Sequence, residues 1–352
     1  MINDDKRAQT AGDGSTNTQA NEVTINNGIS YRDAKEIALD VFKLNFLELR
    51  TTAEEIAKSR AEEITEKFLK KMQETKPDAL SSMNTPGMQM AIFEAQKSYA
   101  KTGSKQLENI LVDILTERSE SDERSLKQIT LDEAIIIAPK LTEAHISILT
   151  LNCFVTKFSH YGIKDYKSFT DTFIGTLKKL SESFSVSNSS ISYLKYTGCI
   201  TPLSNQKFKN IEELIQQKYT ALFMHGYTNE ELNDTFRDVK LNPEWICLNQ
   251  LDQTKTQIAF ITEKFAIESL EHQGENKETI NFITKEYKKN KFTTKEIRNL
   301  IESQHPELKD IFEYWEKSLT SFDLTAVGVA IAVSNFNRLS GADITLDEWI
   351  GY

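Results

Sequence analysis

Past Ser30 the apolar residues recur at steps of three and four through most of the chain, a spacing that places them on one face of successive helices. Ala34, Ile37, Ala38, Val41, Leu44 and Leu47 form the first stripe, expected to run to about Arg50, with Ser30 and Asp33 spaced as a capping pair. Ile56, Ala57, Ala61, Ile64, Phe68 and Met72 form the second, behind Thr52 and Glu55 and ahead of the blocking Pro77. Met88, Ile92, Ala95 and Tyr99 follow Asn84-Thr85-Pro86 and end at Gly103, and Ser104 opens a fourth helix with Leu107, Ile110, Leu111, Ile114 and Leu115.

The cap pattern returns at Thr130/Glu133, Thr228/Glu231 and Thr293/Glu296, so the remainder also reads as helical. Tyr166, Phe169, Phe173, Leu177 and Leu180 make another stripe. A further helix starts at Pro306 and carries Leu308, Ile311, Phe312, Trp315 and Leu319. The run from Leu324 to Val333 is apolar on nearly every side, yet Ser334-Asn335 interrupts it well short of the roughly 18 residues a membrane span requires. It is expected to be a buried central helix, with membrane contact left open. Residues 236–262 are ambiguous and could hold a small hairpin.

The fold class expected is therefore mainly α, with multi-helix bundles behind a short disordered or β-forming N-terminal tail. Composition supplies the boundaries. Residues 1–29 form the tail, because 1–20 hold almost nothing that could bury area. Within the tail, Glu22-Val23-Thr24-Ile25 alternates with a strand's period before the turn-forming pair Asn27-Gly28. The charged stretch 119–125 separates an N-terminal bundle, 30–118, from a C-terminal helical region, 125–352, and serine-rich 181–192 marks a further subdivision.

Charge narrows the function. With 52 acidic against 42 basic residues, a net charge of -10 repels phosphate backbones, and bulk nucleic-acid binding is disfavoured. The opening residues lack the basic start and apolar core of a secretory signal, so a cytoplasmic location is expected. Cys153, Cys199 and Cys247 form no Cys-x-x-Cys pair and read as small reduced core residues. The five histidines show no metal-ligand spacing, and no dinucleotide, phosphate-loop or hydrolase signature is present. No cofactor or metal is expected, and a non-enzymatic role is favoured.

Two patterns point further. Arg298-Asn299-Leu300-Ile301-Glu302-Ser303-Gln304-His305 resembles the Arg-polar-x(4 to 6)-His motif of HEPN-type RNases. That resemblance implies His305 as general acid or base at a ribose hydroxyl and Arg298 as the phosphate-holding cation, usually across a dimer.

The other pattern is Gln9-Thr10-Ala11-Gly12-Asp13-Gly14-Ser15-Thr16-Asn17-Thr18-Gln19, in which amides that form ladders between stacked strands alternate with small residues that let sheets interdigitate. It resembles the bacterial form of the RIP homotypic interaction motif, an amyloid-like signalling segment. The resemblance implies self-association through Gln9, Gly12, Asp13, Ser15, Asn17 and Gln19, and recruitment of a protein partner bearing a similar segment. Ala8 and Thr10 stand where animal versions carry valine or isoleucine, and Gly14 where asparagine is common, so less dry area is buried per layer.

The wider chain, with Gly28-Ile29-Ser30-Tyr31, Pro139-Lys140-Leu141-Thr142 and Trp315 ahead of Ser321-Phe322-x-Leu324-Thr325-x-Val327-Gly328, is similar to a bacterial family with no established activity, associated with mobile or defence genes. The expected function is a defence-related, homo-oligomerising scaffold or sensor. The alternatives are an RNase using Arg298 and His305, and a membrane-disrupting effector using the 324–333 segment.

Overall fold

The computed structural model describes residues 29–45, 51–120, 124–158, 162–347 and 349. Among them sixteen helices dominate, with four three-residue strands, so the fold is mainly α as the periodicity predicts.

The first five helices are α1 (Tyr31–Asn45), α2 (Thr51–Thr75), α3 (Pro86–Thr102), α4 (Lys105–Arg118) and α5 (Leu126–Ile137). Their starts follow local chemistry. Ser30 Oγ accepts from Asp33 N at 3.2 Å, Thr85 Oγ1 from Met88 N at 3.3 Å, and Ser104 Oγ from Leu107 N at 3.3 Å. Gly103 ends α3 in the left-handed conformation, φ 64°, as a helix C-terminus favours. The pair Thr130/Glu133 does not cap: Ser125 is the N-cap of α5, accepting from Gln128 N at 3.1 Å, and Thr130 lies buried inside the helix.

Next come α6 (Glu143–Thr156), α7 (Tyr166–Phe169) continued through a π-helical turn into α8 (Gly175–Ser181), α9 (Asn188–Tyr196), β1 (Ile200–Pro202) and α10 (Ile211–Lys218). Phe169, Phe173, Leu177 and Leu180 of the expected stripe are buried and Tyr166 is half-buried, with Phe169 and Phe173 stacking at 5.3 Å.

Between α10 and the later α14, residues 224–290 form a satellite with its own core. It contains α11 (Asn229–Thr235), the antiparallel hairpin β2 (Ile246–Leu248) and β3 (Thr256–Ile258), α12 (Glu263–His272) and α13 (Lys277–Asn290). The hairpin thus lies within the ambiguous stretch 236–262. Buried Trp245 donates its indole N–H to Gln273 Oε1 at 2.7 Å, which satisfies the polar edge of this core's largest ring. The satellite leaves and rejoins the body through one stem, where His225 N donates to Asn290 O at 2.8 Å and Phe292 N to Phe223 O at 2.8 Å.

The chain closes with α14 (Thr294–Gln304), α15 (Lys309–Lys317), β4 (Phe322–Leu324) and α16 (Ala326–Ser340). β4 pairs antiparallel with β1, and α16 packs against α4, α5, α6 and α8, so the apolar run is a buried central helix. No described helix is long and apolar enough to cross a membrane.

The polar interruption Ser334-Asn335 has a structural purpose. Asn335, fully buried, donates to Thr150 Oγ1 of α6 at 2.9 Å and accepts from Gln106 of α4 at 3.3 Å and Arg338 Nε at 3.1 Å, fixing the register of three helices. Because α5 packs on α3 and α4, and α16 packs on α4 and α5, one core runs continuously from Ala34 to Leu346. The stretch 119–125 therefore joins neighbours inside that core. Its described acid, Glu120, is ion-paired: Lys127 meets Glu120 at 2.7 Å, together with Glu117 at 3.0 Å and Asp347 at 2.6 Å.

Cys153 and Cys199 are buried, and burial pushes the Cys153 thiol up to about 12. Cys247, expected in a core, is exposed on β2, because the first hairpin strand turns its central residue to the surface.

Candidate functional site

The self-association residues Gln9, Gly12, Asp13, Ser15, Asn17 and Gln19 lie outside the described residues. What the structure describes is the point at which the body begins. Ile29 packs against the main core, and Ser30 is held twice by Asp33, through its N–H at 3.2 Å and its Oγ at 2.7 Å to Oδ2. The side-chain hydrogen bond from Ser30, joined by that from its backbone, keeps the Asp33 carboxyl below the usual range.

Arg298 sits on α14 and His305 is the residue that caps its C-terminus, seven positions and so about 10 Å along the axis apart. They face different surroundings. Arg298 donates through Nε to Glu302 at 2.7 Å and through Nη1 to Glu316 at 2.9 Å, and Glu212 lies 3.8 Å from Nη1. Its guanidinium also lies 5.7 Å from the centre of the Phe312 ring. Burial works against its charge, but the bonds to Glu302 and Glu316 and the field of Glu212 more than offset it, and the pKa is raised.

His305 closes α14, its backbone N–H donating to Ile301 O at 2.8 Å. Its Nδ1 is buried without a hydrogen-bond partner and stands 4.0 Å from Glu307. Burial, aided by the charge of Lys178, lowers its pKa, so it is neutral at pH 7. A phosphate approaching Arg298 would meet three carboxylates already holding that cation. Arg298 is thus committed to carboxylates, while His305 stands in a separate setting with its Nδ1 unbonded.

Two other places concentrate chemistry that the periodicity could not reveal. A groove of ≈ 660 Å³ between α2, α4 and α16 is lined by Lys67, Lys70, Lys71, Asp113, Asn337 and Arg338 among others. Its lysines are matched by acids: Lys67 meets Glu108 at 3.0 Å, Lys70 meets Glu74 at 4.0 Å, and Lys71 bonds Asp113. The Lys67–Glu108 and Lys71–Asp113 pairs tie α2 to α4, Lys70–Glu74 lies within α2, and Asn337 extends the tie to α16 by donating to Asp113 Oδ2 at 3.3 Å.

The second place is a cleft of ≈ 500 Å³ where the N-terminal turns of α3 and α5 converge, lined by Thr85, Pro86, Gly87, Arg118, Arg124, Gln128, Ile129, Asp132 and Glu133. Arg118 is 3% exposed and bonds Asp132 through Nε at 2.7 Å, while its Nη1 is buried with no partner. Read linearly, Thr85-Pro86-Gly87 signals only a helix start, and Arg118 sits beside a charged stretch. Their meeting depends on α3 lying beside the end of α4.

A family model described only as ":-like" matches residues 28–350, and the chain belongs to that family. The match covers the folded body and leaves the 9–19 segment outside it. No curated protein and no solved structure matches the chain.

Proposed function

Taking that membership as the premise, we propose that the chain is a non-catalytic scaffold or sensor of bacterial defence, which self-associates or recruits a similar partner through residues 9–19. The observation that carries this reading is positional. A segment of laddering amides and small residues, Gln9 to Gln19, precedes a body that the family match begins at residue 28 and that a hydrogen-bonded cap opens at Ser30. A folded body of this kind acts as the cargo or detector, and clustering of many copies converts detection into a signal. We place the protein in the cytoplasm, where recruited partners would meet it.

The RNase alternative has weaker support, because Arg298 is bonded to Glu302 and Glu316. The membrane-disrupting alternative would require α16 to leave a core in which Val329 to Phe336 are buried.

The reading is tested by light scattering and thioflavin fluorescence of the 352-residue chain beside a Gln9→Ala/Asn17→Ala/Gln19→Ala variant. Growth of thioflavin-positive particles in the wild type and its loss in the variant is the expected result. Equal behaviour of the two would remove the basis of the proposal.

A further inference from the structure

Arg118 is an energetic anomaly. A guanidinium carries five N–H donors, and burying one with unmet donors costs free energy unless something else compensates. Here Nε reaches Asp132, but Nη1 has no acceptor. The position of the group is nonetheless built for. A Cβ on Gly87 would come 2.8 Å from Arg118 Nη2, so the missing side chain at the second position of α3 lets the guanidinium lie against that helix's first turn.

That turn brings its own positive end. Pro86 has no N–H, Met88 N is taken by Thr85 Oγ1, and the N–H of Gly87 is one of the first-turn donors a helix cannot satisfy internally. Arg124 adds a second cation to the cleft wall. Arg118 also lines a smaller cleft of ≈ 230 Å³, but there three acids, Glu117, Glu120 and Asp347, already share the one lysine, Lys127, which disfavours an anion. On the larger side Glu133 is exposed at the edge, and Asp132 is itself bonded to Arg118.

We propose that the cleft between the first turns of α3 and α5 binds a phosphate-type oxyanion, held by Arg118, Arg124 and the Gly87 N–H. A buried arginine, a neighbouring cation and a helix N-terminus together match the non-bridging oxygens of a tetrahedral phosphate, which take charge-assisted hydrogen bonds from several directions. Pro86 and Ile129, the latter 41% exposed, give the cleft an apolar wall beside that position. The volume accommodates the organic part of a phosphate monoester as well as free phosphate. This site is independent of residues 9–19 and supplies a ligand class for a sensor.

The test is isothermal titration of the 352-residue chain with sodium phosphate, with a nucleoside monophosphate, and with sodium chloride at matched ionic strength. Saturable heat with either phosphate and none with chloride is expected. Tighter binding of the monophosphate assigns an ester whose organic part lies on Pro86 and Ile129, and equal binding assigns free phosphate.

Gly87→Ala, which pushes the guanidinium away without removing charge, should weaken binding at least tenfold while leaving the circular dichroism spectrum of the free protein unchanged. Arg124→Ala should weaken it severalfold and gives a second readout at a residue on the surface of the cleft. Absence of saturable phosphate binding overturns the proposal, as does wild-type affinity in Gly87→Ala. Heat reports the ligand and scattering reports assembly, so either reading can fail while the other stands.

Discussion

A methyl group placed on Gly328 would sit 2.1 Å from the carbonyl oxygen of Cys199. This contact locks the central helix to the strand pair before it. Thr325 N donates to the same Cys199 oxygen at 3.0 Å, Thr325 Oγ1 donates to Gly198 O at 2.5 Å, and Gly328 N donates back to Thr325 Oγ1 at 3.2 Å. The obstructing atom belongs to the backbone, so it cannot rotate aside.

Gly328→Ala should therefore destabilise the protein by about 3 kcal/mol or more, at the upper end of overpacking effects. Thermal denaturation followed by circular dichroism checks this, with an expected fall in Tm of several degrees. Gly341→Ala is a poor control because its φ is +73°; Gly162→Ala, with no neighbour within 4 Å, should leave Tm nearly unchanged.

The satellite should be separable in stability from the body. Asn249 saturates its amide, donating to Met224 O at 2.8 Å and Gln257 Oε1 at 2.9 Å and accepting from Leu251 N at 2.9 Å and Asp252 N at 2.8 Å. Asn249→Ala leaves those partners buried or reorganised, a loss of about 2 kcal/mol. Hydrogen exchange should accelerate across 246–258 while the amides of α16 keep their protection.

Arg298 is predicted to act as a structural counter-charge. Arg298→Met leaves Glu212, Glu302 and Glu316 facing one another, which should cost about 1–3 kcal/mol at neutral pH for this partly exposed cluster. Burial already raises the Glu212 carboxyl above its usual range. Protonation relieves the repulsion, so the stability gap to wild type should narrow as pH falls through the carboxylate range. Urea unfolding midpoints at pH 7 and pH 4.5 measure it.

His305 gives a pH effect of defined sign. Burial first, and then Lys178, lower its pKa below the ordinary 6.5, so the native state resists the proton that the unfolded chain accepts. Its contribution to stability is present above pH 6.5 and is lost as pH falls from there through the depressed native value. His305→Gln should flatten that part of the stability profile, as read from urea midpoints between pH 7.5 and pH 5.

Much of this architecture was legible in the pattern of side chains. Met88, Ile92, Ala95 and Tyr99 lie buried along α3, Thr228/Glu231 and Thr293/Glu296 form reciprocal caps, and Leu324 to Val333 leads into and forms the buried central helix. Thr130/Glu133 misled because the same spacing recurs inside a helix, and burial of Thr130 decided its place. The run 119–125 suggested a boundary because it is charged and holds no apolar residue, whereas the return of α16 onto α4 and α5 is a contact between distant segments that composition cannot encode. Arg118 and Gly87 escaped notice for the same reason, being 31 positions apart in sequence and adjacent only in the fold.

The most direct measurement of the central claim is the particle-mass distribution of the 352-residue chain by mass photometry across a concentration series, beside the Gln9→Ala/Asn17→Ala/Gln19→Ala variant. The account predicts assemblies of many copies for the wild type and single 40.2 kDa chains for the variant. Identical mass distributions for the two proteins would contradict it.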